Sequence, residues 1–442
     1  MSNQAGKRSL LAAFAAVSVL IAATAFGIPA WGGAASAQAP STVQAPASPA
    51  SSAYLPVTMG GPDPNANPTP VPPPAPTATA TAVPTATSFP MGSWSPASSM
   101  STPRNGQTAT LLTSGQVLVV GGHDENGNIL TSAELYAPGT DSWSPAGSMR
   151  VLRTDQTATL LPSGKVLVVG GGGTSVSALA SAELYDPARN SWSPAASMRT
   201  AREGHTATLL PSGQVLVAGG VSADDVLAGA ELYNPATNSW SSAGQMSTPR
   251  YGHTATLLPS GKVLVAGGAG YPAWSFASLA SAELYNPATN SWSSAGQMSV
   301  PRTDQTATLL PSGKVLVVGG GDPGADDPDS CSAELYDPAG NAWSLAGIGR
   351  AVDSSMTCCY QTATLLPSGQ VLEAGGEDWL SMDPLASAQL YDPTSNTWFP
   401  AASMSAGRAG HTATLLASGR VLVVGGFDDN GNALASAELY TP

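Results

Sequence analysis

Charge is what this sequence has least of: Asp, Glu, Lys and Arg make up only 10% of 442 residues, against about 25% in ordinary soluble domains. Apolar residues still reach 42%, enough to build a core, which excludes wholesale disorder and a coiled coil. Basic residues are the scarcer sign. Sixteen against 29 acidic side chains leave a net charge of -13, the wrong sign for holding nucleic acid through its phosphates. Also missing are a nucleophile elbow, an HExxH pair, a phosphate loop and the EF-hand spacing. Glycine and proline, by contrast, are abundant, with 48 and 38 copies, which argues against long uninterrupted helices.

Residues 1–37 read as an export signal. Lys7 and Arg8 precede an uncharged stretch from Ser9 to Ala30, and Ala35-Ser36-Ala37 has the small-x-small form of a cleavage site before Gln38. The apolar stretch is long enough for an uncleaved anchor, and only in that case is a membrane association expected. No cysteine lies near the site, so a lipid anchor there is excluded. Residues 38–90 are Pro, Ala, Thr and Ser, as in the run from Val71 to Pro84. Such a composition has too little apolar surface to offset its ordering entropy and reads as an extended tether. The expected location is extracellular, secreted or tethered to the cell surface.

Residues 91–442 are repetitive. Thr-Ala-Thr-Leu-Leu begins at Thr108, Thr157, Thr206, Thr254, Thr306, Thr362 and Thr412, at steps of 48 to 56 residues, a period typical of propellers and solenoids. Each unit reads as four short strands. The first is Thr-Ala-Thr-Leu, followed by a Leu-Pro-Ser-Gly turn and a second strand of the Val-Leu-Val-Val-Gly-Gly type. Ala-Glu-Leu-Tyr forms the third, and a segment around a Trp the fourth. The second strand is apolar at both parities, so both its faces must be covered.

The ordered marks Arg250-Tyr-Gly-His253, Gly267-Gly268, Tyr285 and Trp292, recurring through seven units, resemble the kelch repeat, and the resemblance covers residues 91–442. It implies an all-β, seven-bladed β-propeller. The chain ends at Glu438-Leu-Tyr-Thr-Pro442, a third strand with no fourth, while the domain opens at Gly92-Ser-Trp94, a fourth strand without the first three. The N-terminal strand is therefore expected to complete blade seven and close the ring.

Loop lengths single out one face. From the first Thr to the second Gly of the doublet the distance is always 14, and from the strand-three acid or amide to the Trp it is 9. From the doublet to strand three it ranges from 11 to 15, and Trp343 to Thr362 spans 19 where the other units have 14. Both variable connections lie at one end of the strands, where function on rigid scaffolds concentrates. The aromatic residues the repeat leaves over fall there too: Tyr251, Tyr271, Trp274, Phe276, Tyr360 and Trp379, with Phe427 beside them. Exposed rings suit sugar stacking or a protein partner, so these six are the expected ligand-binding residues.

Other constellations read as structural. His205, His253 and His411 occupy a position that is Gln in the other four units, so packing is preferred to metal ligation. Six arginines four residues before the strand-one Thr match six glutamates opening strand three. Blade six loses both, having Cys358 and Gln389, which suggests an Arg–Glu pair within each blade rather than a ligand-binding arginine ring. A bridge from Cys331 to Cys358 or Cys359 is expected. Asp124 to Asn128 and Asp428 to Asn432 read as Asn-Gly turns. No cofactor is expected; the one loop whose oxygens could hold a cation, calcium by type, carries Asp322, Asp326, Asp327 and Asp329 in blade five.

The function this supports is a binding module for a glycan or extracellular protein, acting through the variable face. The alternative the resemblance implies is an enzyme, either a copper oxidase like galactose oxidase or a sialic acid mutarotase. The first is poorly matched: the chain ends with the ring, and Cys359-Tyr360 is adjacent in sequence rather than a cross-strand pair.

Overall fold

The computed structural model describes residues 91–173, 178–270, 277–321, 332–347, 357–378 and 381–442, with only the backbone of 357 and 358. The signal and tether expectations, 1–37 and 38–90, lie outside this range. Every described regular element is a strand. Seven antiparallel sheets form the blades, six of four strands and one, in blade four, with a short fifth strand at Ala269–Gly270; blade two has Thr157–Leu160, Val166–Val169, Ala182–Asp186 and Ser191–Ala195. The first strands touch one another in order around the ring, and Thr108–Leu111 meets Thr412–Leu415 to close it.

Closure follows the expected route. Ser93–Ala97 pairs antiparallel with Ala437–Thr441, Ser93 opposite Thr441 and Trp94 opposite Tyr440. The tryptophans stitch the blades together. Each indole donates to a backbone oxygen of the preceding blade's fourth strand or its exit, as Trp192 does to Ala146 at 2.9 Å. Trp143 donates to Ser98 and Trp94 to Ala402, both at 2.7 Å, so the seam is bonded like every other interface.

The core is a set of interblade layers rather than one centre. Leu118 and Val120 pack toward blade two, with Val166, Val168 and Tyr185. Val117 and Val119 pack the other way, against Leu422 and Val424 of blade seven. The four residues are completely buried, which is why the second strand cannot alternate apolar with polar. The following doublet needs glycine: Gly121 has φ +69°, and a Cβ there would lie 2.7 Å from the Arg153 carbonyl of the next blade.

The predicted Arg–Glu pairs are present in six blades, at 3.0 to 3.3 Å. In blade one Arg104 donates to the Gly121 and Ser132 carbonyls and to Glu134, whose carboxylate also accepts the Ser101 and Thr102 amides. The pair thus pins the segment arriving from the preceding blade. These arginines are 0 to 1% exposed, so they form no ligand-binding ring. Blade six differs: Glu373, buried, stands opposite Gln389 where the other blades have Val.

Candidate binding site at the channel mouth

The first strands line the central channel and start at its variable-loop end. Just before each strand, the repeat holds a buried Gln or His. The Gln107 amide donates to the Val424 carbonyl at 3.1 Å; His205, His253 and His411 instead bond Thr157, Thr206 and Thr362 through Nε2 at 2.9 to 3.0 Å. Burial pulls the His205 and His411 pKa values down to about 3. These imidazoles are neutral spacers between blades, in line with the packing expectation.

One residue earlier the seven blades present Gly106, Asp155, Gly204, Gly252, Asp304, Tyr360 and Gly410, all left-handed with φ between +52° and +70°. They form a collar joined blade to blade by backbone hydrogen bonds: Asp155 to Gly106 at 3.2 Å, Gly252 to Gly204 at 3.0 Å, Asp304 to Gly252 at 2.9 Å and Gly410 to Tyr360 at 3.1 Å. Four positions use glycine, which tolerates this geometry. Three do not, and strain of this kind concentrates where a side chain is needed. The glycines also make room. A Cβ on Gly252 would meet Asp304 Oδ1 at 2.8 Å, and one on Gly106 would meet Thr154 Oγ1 at 2.6 Å.

A second tier lies beside the collar. Asn105 bridges His123, Glu203 bridges Val221, Tyr251 bridges Ala269 and Ala409 bridges Phe427, while Cys359 pairs with Glu377. The mouth therefore gathers Asp155, Glu203, Asp304 and Glu377 with the rings of Tyr251, Tyr360 and Phe427. The Tyr360 and Phe427 rings meet edge to face at 6.4 Å. Tyr360 is 43% exposed. Thr154 Oγ1 bonds both His123 Nδ1, at 3.1 Å, and Asp155, at 3.2 Å.

These groups share one electrostatic field. Burial and the Asp155 charge raise Glu203 to about 7; burial raises Glu377 to about 7. Asp155 and Asp304 are open to solvent, but in a mouth enclosed by protein, and desolvation still raises both. Asp304, which also feels Asp155, reaches about 6. The Cys359 thiol is pushed up to about 12 by burial and the Asp304 and Glu377 charges. The Asp304 charge, more than burial, raises the Tyr360 phenol.

Of the residues expected from sequence, Tyr251 and Tyr360 stand at this mouth. Tyr271, Trp274, Phe276 and Trp379 lie outside the described residues, as do Asp322, Asp326, Asp327, Asp329, Cys331 and the Cys358 side chain. Cys359 is a free thiol, while Cys331 and the Cys358 side chain, the other members of the expected Cys331 bridge to Cys358 or Cys359, lie outside the described residues. The Asn-Gly loops are turns, Asp124 Oδ1 accepting the Asn126 and Asn128 amides at 2.8 Å. Sequence reasoning missed Asp155, Glu203, Asp304 and Glu377. For Asp155 and Asp304 the signal was the Gly, Asp, Gly, Gly, Asp, Tyr, Gly series before the Gln/His position; Glu203 and Glu377 lie outside that series. On the opposite face a recess of about 530 Å³ opens where Ala417 replaces the proline of five other turns, with Arg420 its one charged residue.

Comparison with known families agrees with this architecture. The model described as the KLHDC2/KLHL20/DRC7 Kelch-repeats domain matches residues 204–426, and the Kelch motif matches 106–150 and 157–199. No curated protein matches the chain. A solved structure titled a novel fungal alcohol oxidase with catalytic diversity among the AA5 family, in complex with copper, superposes with a TM-score of 0.64 at 20% identity, covering 80% of this chain and 76% of the other. That likeness is one of fold. Imidazole is a usual copper donor, yet three of the four histidines here are buried with Nε2 held by threonine, and the described residues contain no cluster of three or more metal-binding side chains. The described residues of the mouth do not fit that metal.

Proposed function

The chain belongs to the kelch-repeat β-propeller family, a fold that serves as a binding module, and on that premise we propose that it is an exported module that binds a glycan at the channel mouth. The observation carrying this reading is the departure of Asp155, Asp304 and Tyr360 from glycine at a left-handed position. A site that tolerates strain to present two carboxylates and an exposed ring has the chemistry of sugar recognition: oxygens that accept from hydroxyls, and a flat apolar face for a pyranose ring. The side chains stand on a rigid collar, so little ordering entropy opposes binding. Export rests on the charge pattern and cleavage site of residues 1–37.

A glycan array probed with the full chain tests the reading, followed by calorimetry with the best hit. Tyr360→Ala is expected to weaken that hit at least about tenfold, as loss of a stacking ring does. If the array is blank and an extracellular protein binds instead, the glycan reading is wrong.

A further inference from the structure

Among the described residues the mouth is acidic without a compensating Lys or Arg; Arg350, in the lengthened blade-six connection, lies outside them. Asp155, Glu203, Asp304 and Glu377 share it with one imidazole, His123. Lys165, Lys262 and Lys314 all follow the first-hairpin glycines at the opposite end of the blades. Arg150 and Arg199, exposed on the variable face, make no ion pair with these four acids.

Glu377 is the sharpest case. It is only 7% exposed, and its carboxylate has no hydrogen-bond or ion-pair partner among the described residues. It follows the Gly375-Gly376 doublet, at the position from which His123 bonds Thr154 and Phe427 meets Tyr360 in their own blades. Its charge acts on both Cys359 and Tyr360. Its oxygens still reach solvent but are only partly hydrated, and a cation delivered by a ligand through the mouth would offset that lost hydration. Beside it, Tyr360 offers the face that attracts an ammonium group.

We propose that the ligand is an oligosaccharide bearing free amino groups, held by its ammonium groups at Glu377 and the neighbouring carboxylates with a sugar ring over Tyr360. The proposal rests on the glycan reading above and narrows its chemistry. A neutral sugar can donate its hydroxyls to the carboxylates but brings Glu377 no counter-charge, whereas an amino sugar supplies both.

The test compares a β-1,4-linked glucosamine tetramer with its fully N-acetylated counterpart and with spermidine, by calorimetry on the full chain. The amino tetramer should bind on the order of tenfold tighter than the acetylated one, and weaken with added salt. Glu377→Gln should remove most of that preference; Glu203→Gln, half-buried and outside the interblade core, should lower it even if the first variant folds poorly. Equal binding of both tetramers overturns the amine assignment and leaves the glycan reading standing. Spermidine binding as tightly as the amino tetramer overturns the sugar assignment. No binding of either tetramer, with hits elsewhere on a glycan array, overturns the proposal alone; a blank array overturns both.

Discussion

The Asp304 amide donates to the Gly252 carbonyl at 2.9 Å, and the two residues hold the same left-handed position in adjacent blades, at φ +54° and +60°. One blade uses the residue the backbone prefers, and its neighbour gives that preference up for a carboxylate. Asp304→Gly should therefore stabilise the fold by roughly 1 kcal/mol, the relief of left-handed strain less glycine's entropy. Differential scanning calorimetry should show a melting temperature about 1–2 °C higher. A lower one contradicts the reading of this position as strained.

The inner histidines make stability fall with acid. Their folded pKa lies below the unfolded value of 6.5, so the unfolded chain takes up the proton first. Their contribution is complete above 6.5 and is lost as pH drops from 6.5 toward about 3. The mouth carboxylates run the other way. Glu203 and Glu377, raised from 4.5 to about 7, favour the fold at low pH and lose that contribution as pH rises from 4.5 to 7. Replacing His205, His253 and His411 with Gln, the residue four blades already use, should leave the melting temperature near its wild-type value at pH 7.5 and raise it at pH 4.5. An unchanged difference between the two pH values refutes the assignment.

Removing one partner of an Arg–Glu pair should be severe. Glu231→Ala leaves Arg202 buried and uncompensated and frees the Arg199 and Thr200 amides that the carboxylate accepts. The expected cost is about 3–5 kcal/mol in chemical denaturation. A loss under about 1 kcal/mol would mean that the pair behaves as a surface ion pair.

Deleting residues 91–97 removes the strand paired with Ala437–Thr441 and the Trp94 bond to Ala402. The whole domain should lose its cooperative melting transition, because an opened ring exposes the Tyr440 face and a free sheet edge. A truncated protein that melts like the wild type sinks the closure by this strand.

The fold was legible because each repeat spends its residues on local rules: a doublet where backbones meet, an all-apolar strand covered on two sides, and a Trp at a constant distance from Glu. Even the Arg–Glu pairing was readable, since Cys358 and Gln389 change together. The site was not. Aromatic accounting found Tyr251 and Tyr360, but Asp155 and Asp304 look like ordinary loop acids until seven chain-distant positions converge on one collar. Glu377 gives no sign in the sequence that it is buried. Convergence through the ring, not local pattern, makes them a group.

The most direct test combines the three departures from glycine. A chain carrying Asp155→Gly, Asp304→Gly and Tyr360→Gly keeps every strand and every interblade layer, and should melt at or above the wild-type temperature. Calorimetric titration with the best array glycan should show binding to the wild type and none to the triple variant. Full binding by a folded triple variant would place the site away from the channel mouth and contradict the account.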